Sequence, residues 1–85
     1  MIDFTFEFIG WVGAISFIVA YFLLSINKLT ADSVIYQSLN VLGGLCLSLN
    51  ALNLDDGPAL VTNAVWMCIG IFALFRIFRG KVRTN

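Results

Sequence analysis

Residues 56–66, DGPALVTNAVW, begin a strongly apolar helix with a proline in its first turn and an asparagine about one turn deeper. Proline loses no needed hydrogen bond at a helix start, and Asp56 before it can cap the free amides there. Asn63 has apolar neighbours on both sides along the helix. Because lipid offers an amide no partner, we expect Asn63 to face protein or a water-filled cavity.

Composition indicates a membrane protein. Hydrophobic residues make up 60% of the 85 positions and charged residues only 12%, far from the soluble average. Three apolar runs, at about residues 6–24, 34–52 and 59–78, each approach the roughly 20 residues that cross the membrane as a helix. The sequence therefore predicts one all-α membrane domain over residues 1–85, in which three transmembrane helices joined by short loops form a three-helix bundle.

The charges are unevenly distributed although they sum to zero. Basic residues gather at the C-terminal end and in the first loop: Arg76, Arg79, Lys81 and Arg83, with Lys28. Acidic residues mark the opposite side: Asp3, Glu7, Asp55 and Asp56. The positive-inside rule then predicts an outside N-terminus and a cytoplasmic C-terminus. The first run has no basic leader before it, so we expect an uncleaved multi-pass protein of a bacterial inner membrane.

The first span carries a stripe of small residues at three- and four-residue spacings: Gly10, Gly13, Ser16 and Ala20. Such a stripe lets helix backbones approach closely, so we interpret it as a packing surface. Trp11 and Tyr21 lie near the two ends of this span and can be interfacial aromatic residues. Tyr21 can instead point its hydroxyl into a shared cavity.

The second span is the most polar. One predicted face holds Tyr36, Asn40, Gly43, Leu47 and Asn50, and its border holds Gln37, Gly44 and Ser48. Hydrogen bonding between helices is one interpretation. Because such bonds average only about 0.6 kcal/mol in membranes, a wet, solute-binding face explains several amides better.

The third span continues from Asn63 through Trp66, Gly70 and Ala73 at three- and four-residue steps. Trp66 is either a large apolar side chain that faces lipid or a ring on which a solute stacks. Before the second span, Asp32 or Ser33 can accept hydrogen bonds from the free amides of that helix.

The sequence does not place together the residue types that enzyme chemistry needs. The sequence has no histidine, and its few carboxylates sit at span ends, so we expect no catalytic residues, metal site or cofactor. Cys46 and Cys68 lie inside apolar runs and are interpreted as small hydrophobic residues. The basic tail is most simply a topology anchor, and we expect no nucleic-acid partner.

Three spans, the outside N-terminus, the first-loop segment Thr30-Ala31-Asp32-Ser33 and the spacing from Pro58 to Asn63 together resemble the bacterial SemiSWEET proteins of the PQ-loop superfamily. The resemblance covers roughly residues 8–78. It implies a parallel homodimer around a central pathway, like the parallel repeats of SWEET transporters. It also implies that Asn63 contacts a sugar from each protomer.

The chain departs from that family at two places. Residues 19–21 stand where the family has its Pro-Gln hinge, so the hinge proline is missing. Leu47 stands near a position where the family has a pocket tryptophan, and Asn50 near an aromatic position. Without that proline, four glycines would have to absorb any bend, in addition to their packing role: Gly10, Gly13, Gly43 and Gly44. Pro58, at the start of the third span, is also expected to be a hinge or packing residue.

The sequence thus favours a transporter that moves a small neutral polar solute, a sugar or similar, by facilitated diffusion through a homodimer. The expected solute-binding residues are Asn63, Asn40, Tyr36, Trp66, Asn50 and Tyr21. The alternative is a structural or accessory membrane protein that packs in lipid with a larger partner and transports nothing. An ion channel is disfavoured, because the sequence lacks the rings of charge or the filter-like backbone segment that ion channels use for selectivity.

Overall fold

The computed structural model describes residues 4–83, and side chains as far as residue 80. It contains three helices: α1 (Phe4–Ser25), α2 (Val34–Asn53) and α3 (Gly57–Arg83). At 1.5 Å per residue they are about 33, 30 and 40 Å long. Each is long and apolar enough to cross a membrane, which confirms the all-α class with three candidate spans. Asp3 and the side chains of Lys81 and Arg83, part of the predicted charge asymmetry, lie outside the described residues.

Two of the helix starts are capped by side chains. The Ser33 hydroxyl accepts a hydrogen bond from the Tyr36 amide at 3.3 Å. An Asp56 carboxylate oxygen accepts one from the Ala59 amide at 3.1 Å, as predicted. Of the two candidates before α2, Ser33 is therefore the cap. Pro58 lies in the first turn of α3, where it removes no helical hydrogen bond.

After each of α1 and α2, one residue adopts the left-handed backbone conformation, and the chain reverses its direction there. Asn27 has φ of 63° and Asp55 has φ of 55°. The amides that follow them reach back to the helices: Lys28 N–H donates to the Leu23 carbonyl at 2.9 Å. Such caps stop a helix sharply and satisfy its last carbonyls. The connections over residues 26–33 and 54–56 can therefore stay short, and successive helices run antiparallel.

Helix α2 lies in the middle of the fold, and α1 and α3 each pack against it. Within residues 4–83, no Cα atom of α1 comes within 8 Å of one in α3. The three helices therefore form an open, V-shaped bundle with α2 at its base. The sequence prediction of a bundle did not specify which helix would be central.

Two adjacent glycines explain how one helix holds two neighbours. A Cβ atom added at Gly43 would lie 2.8 Å from the Phe17 ring and 3.1 Å from the Gly13 carbonyl oxygen, both in α1. A Cβ atom added at Gly44 would lie 2.9 Å from the Met67 Cβ and 3.0 Å from the backbone oxygen of Asn63, both in α3. Successive residues point about 100° apart around a helix. Gly43 and Gly44 therefore open two separate sides of α2 to close approach.

Small residues make these interfaces. The predicted packing stripe of α1 is confirmed, because all four members are buried: Gly10, Gly13, Ser16 and Ala20. The Ser16 hydroxyl donates to the Val12 carbonyl of its own helix at 2.8 Å. Among the described residues, no side-chain hydrogen bond joins two helices. Van der Waals contact between small residues therefore holds the bundle together.

Replacing Gly44 by alanine tests the contact between α2 and α3. Because the new methyl group would meet the α3 backbone, we expect Gly44→Ala to lower the free energy of unfolding by about 1–3 kcal/mol. Gly80→Ala is the matched control, since nothing lies within 4 Å of a Cβ added there. Thermal unfolding of the purified variants in detergent, followed by circular dichroism, measures both. Equal stability of the two variants would contradict the close approach of α3.

Candidate solute-binding cleft

An open cleft lies between α1 and α3, above one face of α2. Its volume is about 250 Å³, and it is lined by residues of all three helices: Phe17, Tyr21, Tyr36, Asn40 and Trp66. The cleft exists because α1 and α3 approach α2 from two sides without closing over it. One wall is missing, so the space is a cleft and not an enclosed cavity.

The base of the cleft is formed by the first half of α2. Tyr36 and Asn40 are one turn apart and therefore project from the same face. Asn40 lies about 9 Å along the helix from Val34, well inside the span. Its side chain is half-buried. Within the part of the chain that the structure describes, its amide group has no hydrogen-bond partner.

Aromatic rings form the sides. Phe17 and Tyr21 come from successive turns of α1, and Trp66 comes from α3. The Phe17 ring is held against Gly43, whereas Tyr21 and Trp66 are 70% and 53% exposed at the edges of the opening. The structure therefore places Tyr21 in the cleft, which was one of its two predicted positions. It also places Trp66 there, as a stacking platform would require.

Two of the predicted site residues lie elsewhere. Asn63 is half-buried on the side of α3 that faces α2, and its amide nitrogen donates to the Ala59 carbonyl of the same helix at 2.8 Å. Asn50 lies against Gly10 near the other end of α2, since a Cβ added at Gly10 would be 2.8 Å from the Asn50 Cγ. The structure thus brings together Tyr21, Tyr36, Asn40 and Trp66, and leaves Asn50 and Asn63 outside the cleft lining.

The polar face predicted for α2 is divided between two interfaces. Gly43 and Asn50 contact α1, and Gly44 contacts α3. Gln37 is buried, and its amide nitrogen donates to the Ala31 carbonyl at 2.8 Å, which ties the first loop to α2. Of the residues predicted to share this face, only Tyr36 and Asn40 line the cleft. The rest of the face is covered because α2 carries a neighbour on each side.

Phe17 is a lining residue that sequence reasoning missed. A phenylalanine inside an apolar span carries no polar signal, so composition gives no reason to select it. Its position one turn before Tyr21 and one turn after Gly13 places it on the edge of the packing stripe. That spacing was the available indication.

The cleft offers neutral chemistry. Its five lining residues include no carboxylate, amine or guanidinium group. They supply one amide, two phenol hydroxyls, one indole N–H and four ring faces. This set can hold a neutral molecule that has both hydroxyl or amide groups and a flat apolar face.

The three apolar helices indicate a multi-pass membrane protein. A family model matches residues 6–81, and the chain belongs to that family, which is one of unknown function. Among curated proteins and solved structures, nothing matches the chain. The resemblance to SemiSWEET proteins therefore stays a prediction.

Cysteine accessibility tests whether the cleft contains water. Asn40→Cys should react with a membrane-impermeant thiol reagent, because it faces the cleft, whereas Leu42→Cys should not. Leu42 lies at nearly the same depth but is exposed on another side of α2 and does not line the cleft. Both changes are made after Cys46→Ala and Cys68→Ala, and labelling of protein in lipid vesicles is measured by mass spectrometry. Equal labelling at the two positions would mean that the cleft is not a separate aqueous space.

Proposed function

We propose that the protein is a SemiSWEET-like membrane transporter that moves a small neutral polar solute, a sugar or similar, by facilitated diffusion. The observation that carries this proposal is the amide of Asn40, which has no partner in the described residues and is surrounded by four aromatic rings. A polar group inside an apolar span is costly unless something binds it. Water or a polar solute in the cleft would supply the missing hydrogen bonds.

The chemistry of the lining supports a neutral solute. Amide and hydroxyl groups bind solute hydroxyls, and aromatic rings pack against the flat face of a sugar ring. The cleft has no carboxylate that could carry a proton along with the solute. This composition supports passive movement down a gradient over proton-coupled pumping.

The open side of the cleft supports a homodimer. One cleft of about 250 Å³ is smaller than the roughly 300–1,000 Å³ typical of ligand sites and lacks a wall. A second copy related by a two-fold axis along the membrane normal would place its own cleft opposite. Twice the volume of one cleft, about 500 Å³, falls within the usual range. Tyr21 and Trp66, exposed at the two edges, would then become buried at the contact between the copies.

Access to the two sides of the membrane would alternate as the two copies rock against each other. Gly43 and Gly44 are in tight contact with α1 and α3. Pro58 lies in the first turn of α3, where it bends nothing. Each protomer is therefore better suited to move as one unit than to bend at a hinge.

Within this proposal, Asn40 is the central polar contact and Asn63 a second one. The side-chain nitrogen of Asn63 donates to the Ala59 carbonyl, but the side-chain oxygen accepts no hydrogen bond from the described residues. Asn63 could reach a solute only if α3 shifts relative to α2. We therefore expect the two asparagines to differ in their effect on transport.

The decisive experiment is uptake into proteoliposomes against a panel of labelled sugars, amino acids and nucleosides. We expect uptake of one class, and Asn40→Leu should lower it about tenfold or more, the effect of losing one or two buried hydrogen bonds. Ser38→Leu is the control, since Ser38 is exposed on α2 and does not line the cleft. Asn63→Leu should have a smaller effect than Asn40→Leu.

Three other outcomes would contradict part or all of this proposal. No uptake of any class by a folded, reconstituted protein would reject the transporter. A larger subunit that copurifies from native membranes would then support the accessory role. Uptake that Asn40→Leu leaves intact would keep the transporter but reject the cleft as its site.

We also propose that the N-terminus lies outside and the C-terminus in the cytoplasm, because basic residues gather in the C-terminal part of α3. A single cysteine at Asp55 should react with an impermeant reagent added to intact cells, and one at Lys28 only after the cells are opened. Both variants are made after Cys46→Ala and Cys68→Ala. The reverse labelling pattern would show the inverted orientation.

A further inference from the structure

Two arginines project from the end of α3 on the side that faces away from the bundle. Arg76 and Arg79 are exposed, whereas Ala73, Leu74 and Ile77 of the same turns are half-buried. Because the arginines are three residues apart, they are neighbours on one helix face. In a single protomer within a membrane, this face of α3 is open to lipid.

Each guanidinium group is folded back along the helix over an aromatic ring. The Arg76 guanidinium lies 6.0 Å from the centre of the Phe72 ring, and that of Arg79 lies 5.6 Å from the Phe75 ring. Both rings are one turn closer to the middle of the span. The charges therefore point back toward the hydrocarbon instead of extending away from it.

The position of these charges along α3 matters for their solvation. Arg76 is about 28 Å along the helix axis from Gly57, close to the roughly 30 Å thickness of the hydrocarbon layer. Folding back by one turn, about 5.4 Å, brings the Arg76 guanidinium to about 23 Å and the Arg79 guanidinium to about 28 Å from Gly57. Both charges therefore lie in the outer part of a hydrocarbon layer about 30 Å thick, next to the lipid phosphate groups at that end of the span.

At this level an unpaired charge is costly. Within the described residues, neither guanidinium is close enough to a carboxylate to form an ion pair. The aromatic rings offset part of the cost, but they supply no negative charge. A bound anion would supply it, and the guanidinium fork matches the oxygens of a phosphate group.

We propose that Arg76 and Arg79 form a binding site for the phosphate of an anionic phospholipid in the leaflet where α3 ends, with Phe72 and Phe75 holding the two guanidinium groups in place. The occupant is a lipid, because the site faces the bilayer and its floor is made of two exposed phenylalanines, which are 62% and 57% exposed and suit acyl chains. This site is independent of the proposed transport.

Spin-labelled lipids test the proposal. We would reconstitute the protein in phosphatidylcholine vesicles and compare the association of spin-labelled phosphatidylglycerol with that of spin-labelled phosphatidylcholine. The double variant Arg76→Gln/Arg79→Gln should lose selectivity for phosphatidylglycerol by about fivefold for each charge removed. Lys28→Gln is the matched control, because Lys28 is an exposed cation at the same end of the bundle without a phenylalanine stack. It should lose clearly less.

A second pair of changes separates a built site from simple surface charge. Phe72→Leu/Phe75→Leu keeps both charges and the apolar surface but removes the rings, so selectivity should fall by about twofold to fivefold. The arginines and phenylalanines point away from α2, so unfolding temperature and helix content should stay close to those of the native protein in both double variants.

Two results would overturn the proposal. Full selectivity after the phenylalanine changes, with Lys28→Gln as damaging as the arginine changes, would show a diffuse charge effect and no site. Stabilisation of the detergent-solubilised protein by inorganic phosphate, lost in Arg76→Gln/Arg79→Gln and as large as the effect of phosphatidylglycerol, would assign the site to a soluble phosphate.

Discussion

The close approach of three backbones at Gly43 and Gly44 is the contact on which the rest of the fold depends. In lipid, helices gain nothing from burying apolar surface against each other, so association requires atoms in van der Waals contact along the backbone. Gly43 provides this contact to α1 and Gly44 provides it to α3. Since the two glycines are adjacent in sequence, they direct the two neighbours to different sides of α2. An open V is the result, and the cleft is the space inside it.

Because packing and not hydrogen bonding joins the helices, the polar side chains are left to find partners locally. Gln37 uses the loop before its helix, and Asn63 uses a carbonyl in its own helix. Ser48 is buried on α2 without a partner among the described residues. Asn40 differs from all three, since it is both unpaired and open to the cleft. This difference, which is a matter of position and not of residue type, separates a candidate contact with solute from structural amides.

Neutral polar side chains and charged side chains lie in different parts of the molecule. The cleft is lined by neutral groups only, whereas the guanidinium groups of Arg76 and Arg79 are near the end of α3, on its exposed side. A neutral cleft avoids the cost of desolvating a charge in the middle of the membrane. Charges at the end of a span can reach phosphate groups and water. The helix that contributes Trp66 to the cleft thus also carries the proposed lipid site at Arg76 and Arg79.

The sequence by itself determined the three spans, the caps at Ser33 and Asp56, and the packing stripe of α1, because hydropathy, capping and small-residue spacing act over one or two helical turns. It also selected four residues of the cleft, since aromatic and amide side chains are unusual inside a span. Only the tertiary structure decided which amide remains open. Asn40, Asn50 and Asn63 look alike in sequence, yet one lines the cleft, one packs against Gly10 and one bonds its own helix. Helical periodicity assigns residues to a face, but which neighbour covers that face depends on contacts between helices distant in sequence.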